Sequence, residues 1–210
     1  ALLSLWRKLS IERRLTVAAL RTVVQLSLVG FVLEWVFARK APWWVLAMAL
    51  FMLLVAGLEV MRRQKYRLTG WWGYGTGTLA MLLSSFSISI FALTVIISVK
   101  PWFNPQYAIP LLGMLLGNTM NGIALGLDRL TTSARQQRTM IEGRLILGAS
   151  AKEAIASIRR ESMRTALIPI INAMSIAGLV SLPGMMTGQI LSGVSPLEAV
   201  KYQILIMFLI

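Results

Sequence analysis

Apolar runs of about 20 residues, each set off by a cluster of basic residues, leave this chain few folds to choose from. A helix rises about 1.5 Å per residue, so such a run crosses a hydrocarbon core about 30 Å thick. Backbone polar groups in lipid have no water to bond, and a helix satisfies them within its own segment. Runs of this length fall at 15–37, 42–61, 77–99, 109–127 and 165–190, and another begins near 197. The pattern predicts an all-α, polytopic membrane protein with about six to seven transmembrane helices. Composition agrees, since 57% of the 210 residues are hydrophobic and the mean hydropathy is +0.71. That is too apolar for an ordinary soluble domain.

The charges are placed as a bilayer would place them. The chain has 21 Lys and Arg against 8 Asp and Glu, a formal net charge of +13. Arg7, Lys8, Arg13 and Arg14 precede the first run, and Arg62, Arg63, Lys65 and Arg67 follow the second. A third set lies between Arg129 and Arg164, whereas the alternate loops 38–41, 100–108 and 191–196 hold only Arg39, Lys40 and Lys100. By the positive-inside rule the three clusters are cytoplasmic. Trp43, Trp44, Trp71, Trp72 and Trp102 stand at predicted span ends, as an interfacial aromatic belt requires. Every cluster therefore has a lipid bilayer to explain it, and no nucleic acid is needed. The chain opens without Met and stops in an apolar run at Met207–Ile210, so we expect further membrane helix on both sides of one transmembrane domain spanning 1–210.

Several chemistries are excluded. With no Cys there is no disulfide or thiol chemistry, and with no His the commonest metal ligand and general base are missing. No nucleophile or acid/base set converges, so the chain is not expected to be an enzyme. It lacks G-x-x-x-x-G-K-[ST], so it holds no ATP phosphates and no cofactor of its own. The Gly-rich "GWWGYGTGT" (Gly70–Thr78) lacks the required Lys and reads as a flexible interfacial turn.

The segment 128–164 is polar yet helical in pattern. Ala134, Ile141 and Leu145 form a narrow apolar stripe. Gly148 suits a left-handed C-cap, and Ser150 with Glu153 forms an S-x-x-E capping box opening a second helix. Ile155, Ile158 and Ser162 share a face of that helix. The prediction is a cytoplasmic helix-turn-helix, which the residues alone allow either to lie on lipid headgroups or to dock on a soluble partner.

Within the spans, Ser84, Ser87, Thr94 and Ser98 share a stripe with Phe91, Gly113 and Gly117 form a small-xxx-small pair, and Asn118 and Asn121 share a face. Arg21 can snorkel, and Glu34 and Glu59 are expected at the interfaces. Ser181-Leu182-Pro183-Gly184 interrupts the fifth run, and Met185, Met186 and Gln189 follow it. Proline removes a backbone donor and frees a carbonyl, and broken membrane helices tend to line cavities. Asn118, Asn121, Ser181, Pro183, Gly184, Met185, Met186 and Gln189 are therefore candidate pathway residues, with a packing kink as the alternative. Glu198 completes a second capping box with Ser195. No group of donors shows metal-site spacing, so metal ligands stay unassigned.

Glu142, then Gly148-Ala149, then Ile168-Pro169 resembles the EAA loop of ABC-transporter permeases, with Gly143 and Arg144 in place of that loop's two alanines. "RTVVQLSLVGFVLEWVF", "GNTMNGIALGLDRL", "EGRLILGAS" and "GLVSLPGMMTGQIL" together resemble the Fet-type bacterial iron-export ABC permeases, a group that includes plant aluminium-tolerance membrane subunits. The resemblance implies a permease subunit in the bacterial inner membrane that exports iron or a related metal or metal complex. It also implies a separate ABC ATP-binding subunit, carrying ATP and Mg, docked through Glu142, Gly148, Ala149, Ser150 and Glu153. One hairpin provides one dock for a two-ATPase motor, so a homodimer is expected. The alternative is a secondary transporter of a small solute: Gly126-x-Asp128-Arg129 is faintly similar to an inner loop of facilitator-superfamily carriers, though the chain shows no internal repeat.

Overall fold

The structure, a computed structural model, describes residues 12–39, 41–66 and 71–210. Arg7, Lys8, Lys40, Arg67 and Gly70 lie outside the described residues, as do the side chains of Arg13, Arg14, Trp71 and Trp72. Regular structure within them is helical, apart from one isolated bridge between Ala177 and Ser181. The helices are α1 (Glu12–Arg39), α2 (Pro42–Arg63), α3, α4 (Pro105–Gln136), α5 (Arg138–Ile146), α6 (Ala151–Ala154), α7 (Ala156–Ile176), α8 (Gly184–Leu191) and α9 (Pro196–Leu209). We use α3 for a continuous rod that starts at Trp71–Met81 and runs to Ile96 through π-helical turns at Leu82–Phe86 and Ala92–Ile96.

Segments Leu15–Arg39, Pro42–Arg63, Gly73–Ile96 and Pro105–Gln136 are long and apolar enough to cross a membrane, in keeping with the first four predicted runs. The run predicted at 165–190 is not one helix. Helix α7 stops at Ile176, and α8 begins only at Gly184. The interruption expected at Ser181–Gly184 thus opens earlier, at Ala177. Gly178 takes φ +80°, and the Ile176 carbonyl accepts from the N–H groups of Leu179, Val180 and Ser181 at 3.1–3.3 Å. Pro183 is then the N-cap of α8 rather than a breaker inside a helix.

Helix α4 is the axis of the bundle. Asn104 caps it by accepting from the Gln106 N–H, and Pro105 starts it where the missing N–H costs nothing. Its 32 residues reach about 48 Å, well beyond the hydrocarbon core. The polar segment predicted from Asp128 therefore begins as the last turns of this same rod. Helix α2 buries Val45, Ala49, Leu53, Ala56, Gly57 and Val60, a stripe at helical spacing that packs on α4 and α3. One core cluster joins Val36, Val45, Leu93, Ile109, Leu115 and Ile206; a second joins Ala49, Leu53, Val60, Met81, Leu116 and Ala124. Helix α1 meets the first cluster through Leu33, Val36 and Phe37 and sets Trp35 edge-on against Trp44 at 4.4 Å. Most of its other described apolar side chains are exposed, the surface a lone helix presents to lipid.

Close helix approach is set by glycines other than those the sequence singled out. A Cβ on Gly122 would stand 3.2 Å from the Ala166 carbonyl oxygen, and one on Gly126 3.1 Å from the Ala166 Cβ. This Gly122-x-x-x-Gly126 pair seats α7 on α4, whereas Gly117 faces open space and Gly113 meets only the flexible end of Met52. The "GWWGYGTGT" stretch is helical from Trp71, not a flexible turn. Its glycines allow α2 and α3 to touch: a Cβ on Gly77 would lie 3.4 Å from Val60, and one on the facing Gly57 would overlap the Thr78 hydroxyl. Helix α3 buries Ser85, Ser89, Ala92 and Leu93 and leaves Ser84, Ser87, Phe91 and Thr94 exposed, as is Ser98 just beyond it. Ser84 and Thr94 donate to carbonyls of their own helix, Ala80 and Ile90, at 2.8 and 2.7 Å.

Candidate functional site

The hairpin grows directly out of α4 and into α7. A one-residue joint at Gln137 (φ −100°) redirects the chain into α5, which buries no residue. Gly148 then takes φ +90°. Its N–H donates to the Leu145 carbonyl and the Ala149 N–H to the Arg144 carbonyl, both at 3.0 Å, a Schellman closure. Ser150 caps the next helix, its hydroxyl accepting from the Glu153 N–H while the Glu153 carboxylate accepts from the Ser150 N–H at 2.8 Å. Those bonds from the Ser150 N–H and hydroxyl hold the Glu153 carboxyl below the ordinary carboxylate range. Arg144 clasps the two arms by donating to the Ala154 carbonyl at 3.2 Å. Glu142 is exposed and pairs with Arg138 at 2.6 Å.

So the five residues expected on this element, Glu142, Gly148, Ala149, Ser150 and Glu153, lie on one compact hairpin. Beneath it Ala154, Ile158 and Ser162 are buried at successive fourth positions, a seam that takes Ile158 and Ser162 as expected and Ala154 in place of Ile155. At the tip, Ile146 is 85% and Leu147 88% exposed. Their apolar surface has no cover within the chain.

A cavity of about 500 Å³ opens between α3, α4 and α7 at the same end of the bundle. Thr76 and Ala80 line it from α3, Asn118, Asn121 and Leu127 from α4, and Arg159, Ser162 and Leu167 from α7. The two asparagines of the sequence reading thus share one space, each already bonded. Asn118 donates to the Met114 carbonyl at 2.8 Å, and Asn121 accepts from Arg63 at 2.6 Å. Arg63 also pairs with Glu59, and the Lys65 N–H donates to Asp128 at 2.8 Å, so the end of α2 is strapped to α4. Arg135 stacks over Tyr66 at 4.5 Å beside them. No spacing rule could have linked Arg63 to Asn121, because the pair depends on which helices become neighbours.

The remaining pathway candidates lie elsewhere. Met185 packs on the cluster of Val36, Val45 and Ile206, and Met186 is half-buried on α8. The Ser181 carbonyl accepts from Gly178 and the Pro183 carbonyl from Thr187, so part of the backbone at the break is satisfied within it. Gln189 keeps its side-chain carbonyl buried without a partner. The cavity that holds Asn118 and Asn121 is thus not lined by residues of the break. Glu198 departs from the capping-box expectation: its N–H donates to Ser195, but its carboxylate pairs with Lys201 at 2.7 Å. Among the described residues no group of three or more carboxylates could hold a metal.

Residues 1–210 match UPF0014, described as an uncharacterised protein family. The chain is 46% identical to UPF0014 membrane protein slr1647 of Synechocystis over 98% of its length and 78% of the relative's. It is 37% identical to UPF0014 membrane protein STAR2 of rice, over 98% of its length and 70% of the relative's. Against the Probable iron export permease protein FetB of Escherichia coli the identity is 35%, over 100% of this chain and 78% of that protein. No solved structure matches.

Proposed function

We propose a transport function on one premise: this chain belongs to the UPF0014 family of membrane proteins. It is the membrane-spanning subunit of an ATP-driven exporter, and a separate ATP-binding subunit docks on the hairpin formed by α5, the Gly148 turn and α6. The observation that carries this reading is the exposed apolar pair Ile146 and Leu147, held at the tip of a turn capped on both sides. An apolar tip outside the spans is poor economy in water and good contact for a protein cleft. The chain binds no nucleotide itself, so the energy source is the partner, with ATP and Mg on it. Glu142, Gly148, Ala149, Ser150 and Glu153 position the tip; Ile146 and Leu147 make the contact.

The cargo is iron or a related metal or metal complex, the reading favoured by the name of the Escherichia coli relative. With no His and no Cys in the chain, oxygen donors and methionine sulfur are the groups available to it. Ser181, Pro183, Gly184, Met185, Met186 and Gln189 mark its route, with Asn118 and Asn121 on a separate wall. Two copies of the chain, each with one hairpin, assemble with two ATP-binding subunits in the bacterial inner membrane. Purification of the tagged chain from its native membranes should recover an ATP-hydrolysing subunit in equal amount. Transport by vesicles holding this chain alone, driven by an ion gradient, would overturn the reading in favour of a secondary carrier.

A further inference from the structure

The cavity between α3, α4 and α7, bordered also by Ile210 beyond α9, has one charged side chain in its lining, Arg159, and no acidic side chain. Its other polar side chains are engaged. Asn118 bonds the Met114 carbonyl, Asn121 accepts from Arg63, Thr119 accepts from Ser85, and Ser162 donates to the Ile158 carbonyl. Thr76 has a partner as well. Arg159 makes no ion pair with any described residue, although Glu161 and Glu142 on nearby segments are both taken, by Arg164 and Arg138. Below Arg159 the wall of α7 turns apolar through Met163, Ala166, Leu167 and Ile170, and Leu127 and Leu130 face it from α4.

The result is a space that asks for an amphiphile: a negative group at the mouth and hydrocarbon along the walls. At about 500 Å³ it is within the ~300–1,000 Å³ range that takes one organic ligand. Its charged mouth lies on the hairpin side, where the basic clusters place the cytoplasmic leaflet, and basic sites between membrane helices on that side suit anionic lipid headgroups. We infer that this cavity is a binding site for an anionic phospholipid of the cytoplasmic leaflet, with its phosphate on Arg159 and an acyl chain along α7 and α4. The inference requires neither an ATP-binding subunit nor a cargo, and it gives to a lipid the wall of Asn118 and Asn121 that the transport reading assigns to the cargo.

The test uses the purified chain in phosphatidylcholine nanodiscs doped with phosphatidylglycerol, with bound lipid counted by native mass spectrometry. The wild type should retain phosphatidylglycerol over phosphatidylcholine, and Arg159→Gln should weaken that preference about fivefold, the weight of one basic residue near an anionic surface. Arg159→Lys should restore most of it. Ala80→Trp, which fills the cavity from α3 and leaves Arg159 in place, should lower retention of both lipids. Equal retention in the wild type and Arg159→Gln would overturn the site. So would displacement of the lipid by soluble glycerol phosphate at matched concentration, which would mark the mouth as a soluble-anion site. A helical circular dichroism spectrum unchanged in Arg159→Gln separates lost binding from lost folding.

Discussion

The chain builds the same turn twice. Gly148-Ala149-Ser150-Ala151-Lys152-Glu153 and Gly193-Val194-Ser195-Pro196-Leu197-Glu198 share the spacing Gly-x-Ser-x-x-Glu. The glycines take φ +90° and +92°. Each is followed by an N–H that reaches back to close a Schellman motif: Ala149 to Arg144, and Val194 to Gln189. In each, a serine hydroxyl accepts from the glutamate N–H. The difference is in the carboxylates and the flanks. Glu153 turns back to close the box on Ser150, whereas Glu198 turns forward to Lys201. The first turn lies between exposed basic helices with Ile146 and Leu147 at its tip; the second joins α8 to the largely apolar α9. A local code of this kind specifies a chain reversal and nothing more. What the reversal is for must be read from what it presents.

The largest separation of the two turns should come from Gly148→Val and Gly193→Val. Neither glycine has an atom within 4 Å of a built Cβ, so the cost in both is backbone strain, about 1–2 kcal/mol for a residue with a Cβ and more for a β-branched one. Gly148→Val should abolish co-purification of the ATP-binding subunit while the membrane helices stay folded. Gly193→Val should leave that capture intact and lower thermal stability in detergent. Equal loss of capture in both would remove the special role of the first turn.

A smaller contrast should follow from removing the caps. A serine N-cap replaced by alanine typically costs ~1 kcal/mol. Ser150→Ala removes the hydroxyl that both accepts from Glu153 N–H and donates to its carboxylate, whereas Ser195→Ala removes only an acceptor. Hydrogen exchange of the first amides of α6 should therefore rise more in Ser150→Ala than that of α9 rises in Ser195→Ala. Equal rises would show that the closed box adds nothing.

The smallest effect is on pH. The folded Glu153 carboxyl lies below its ordinary value, so its contribution is complete above the ordinary carboxylate range and is lost as pH falls through the depressed folded value. Amide protection at Ser150 should fall in that acid window, and Glu153→Gln should flatten the profile. No hydrogen bond joins the Glu198 carboxylate to Ser195, which makes the second turn the control.

The contrast also shows what a sequence can carry. The first four spans, the Gly148 turn and the Ser150 box were legible because each depends on residues a few positions apart. The Gly122-x-x-x-Gly126 seam was as visible as Gly113-x-x-x-Gly117, but only knowing that Ala166 faces it decides between them. The stripe on α3 was legible as a stripe, since Ser84, Ser87, Phe91, Thr94 and Ser98 are all exposed, but the way it faces depends on which helices become neighbours. Helix α7 ends earlier than Pro183 implies, because Ala177 is already extended and Gly178 takes a left-handed φ. The cavity with Arg159 depends on three helices at once, and no local pattern announces it.

Helix α4 runs without a break from Pro105 to Gln136, and the hairpin joins it through a single residue, Gln137. On its other side the hairpin enters α7 through Ile155, again a single joint, and Gly122 and Gly126 fasten α7 to α4. A load applied at Gly148 therefore meets two helices joined at Gly122 and Gly126, each with a proline further along it, Pro110 in α4 and Pro169 in α7. A proline inside a helix removes one backbone bond, so displacement beyond the glycine seam is taken up as bending at these two points before it reaches Asn104 or Ile176.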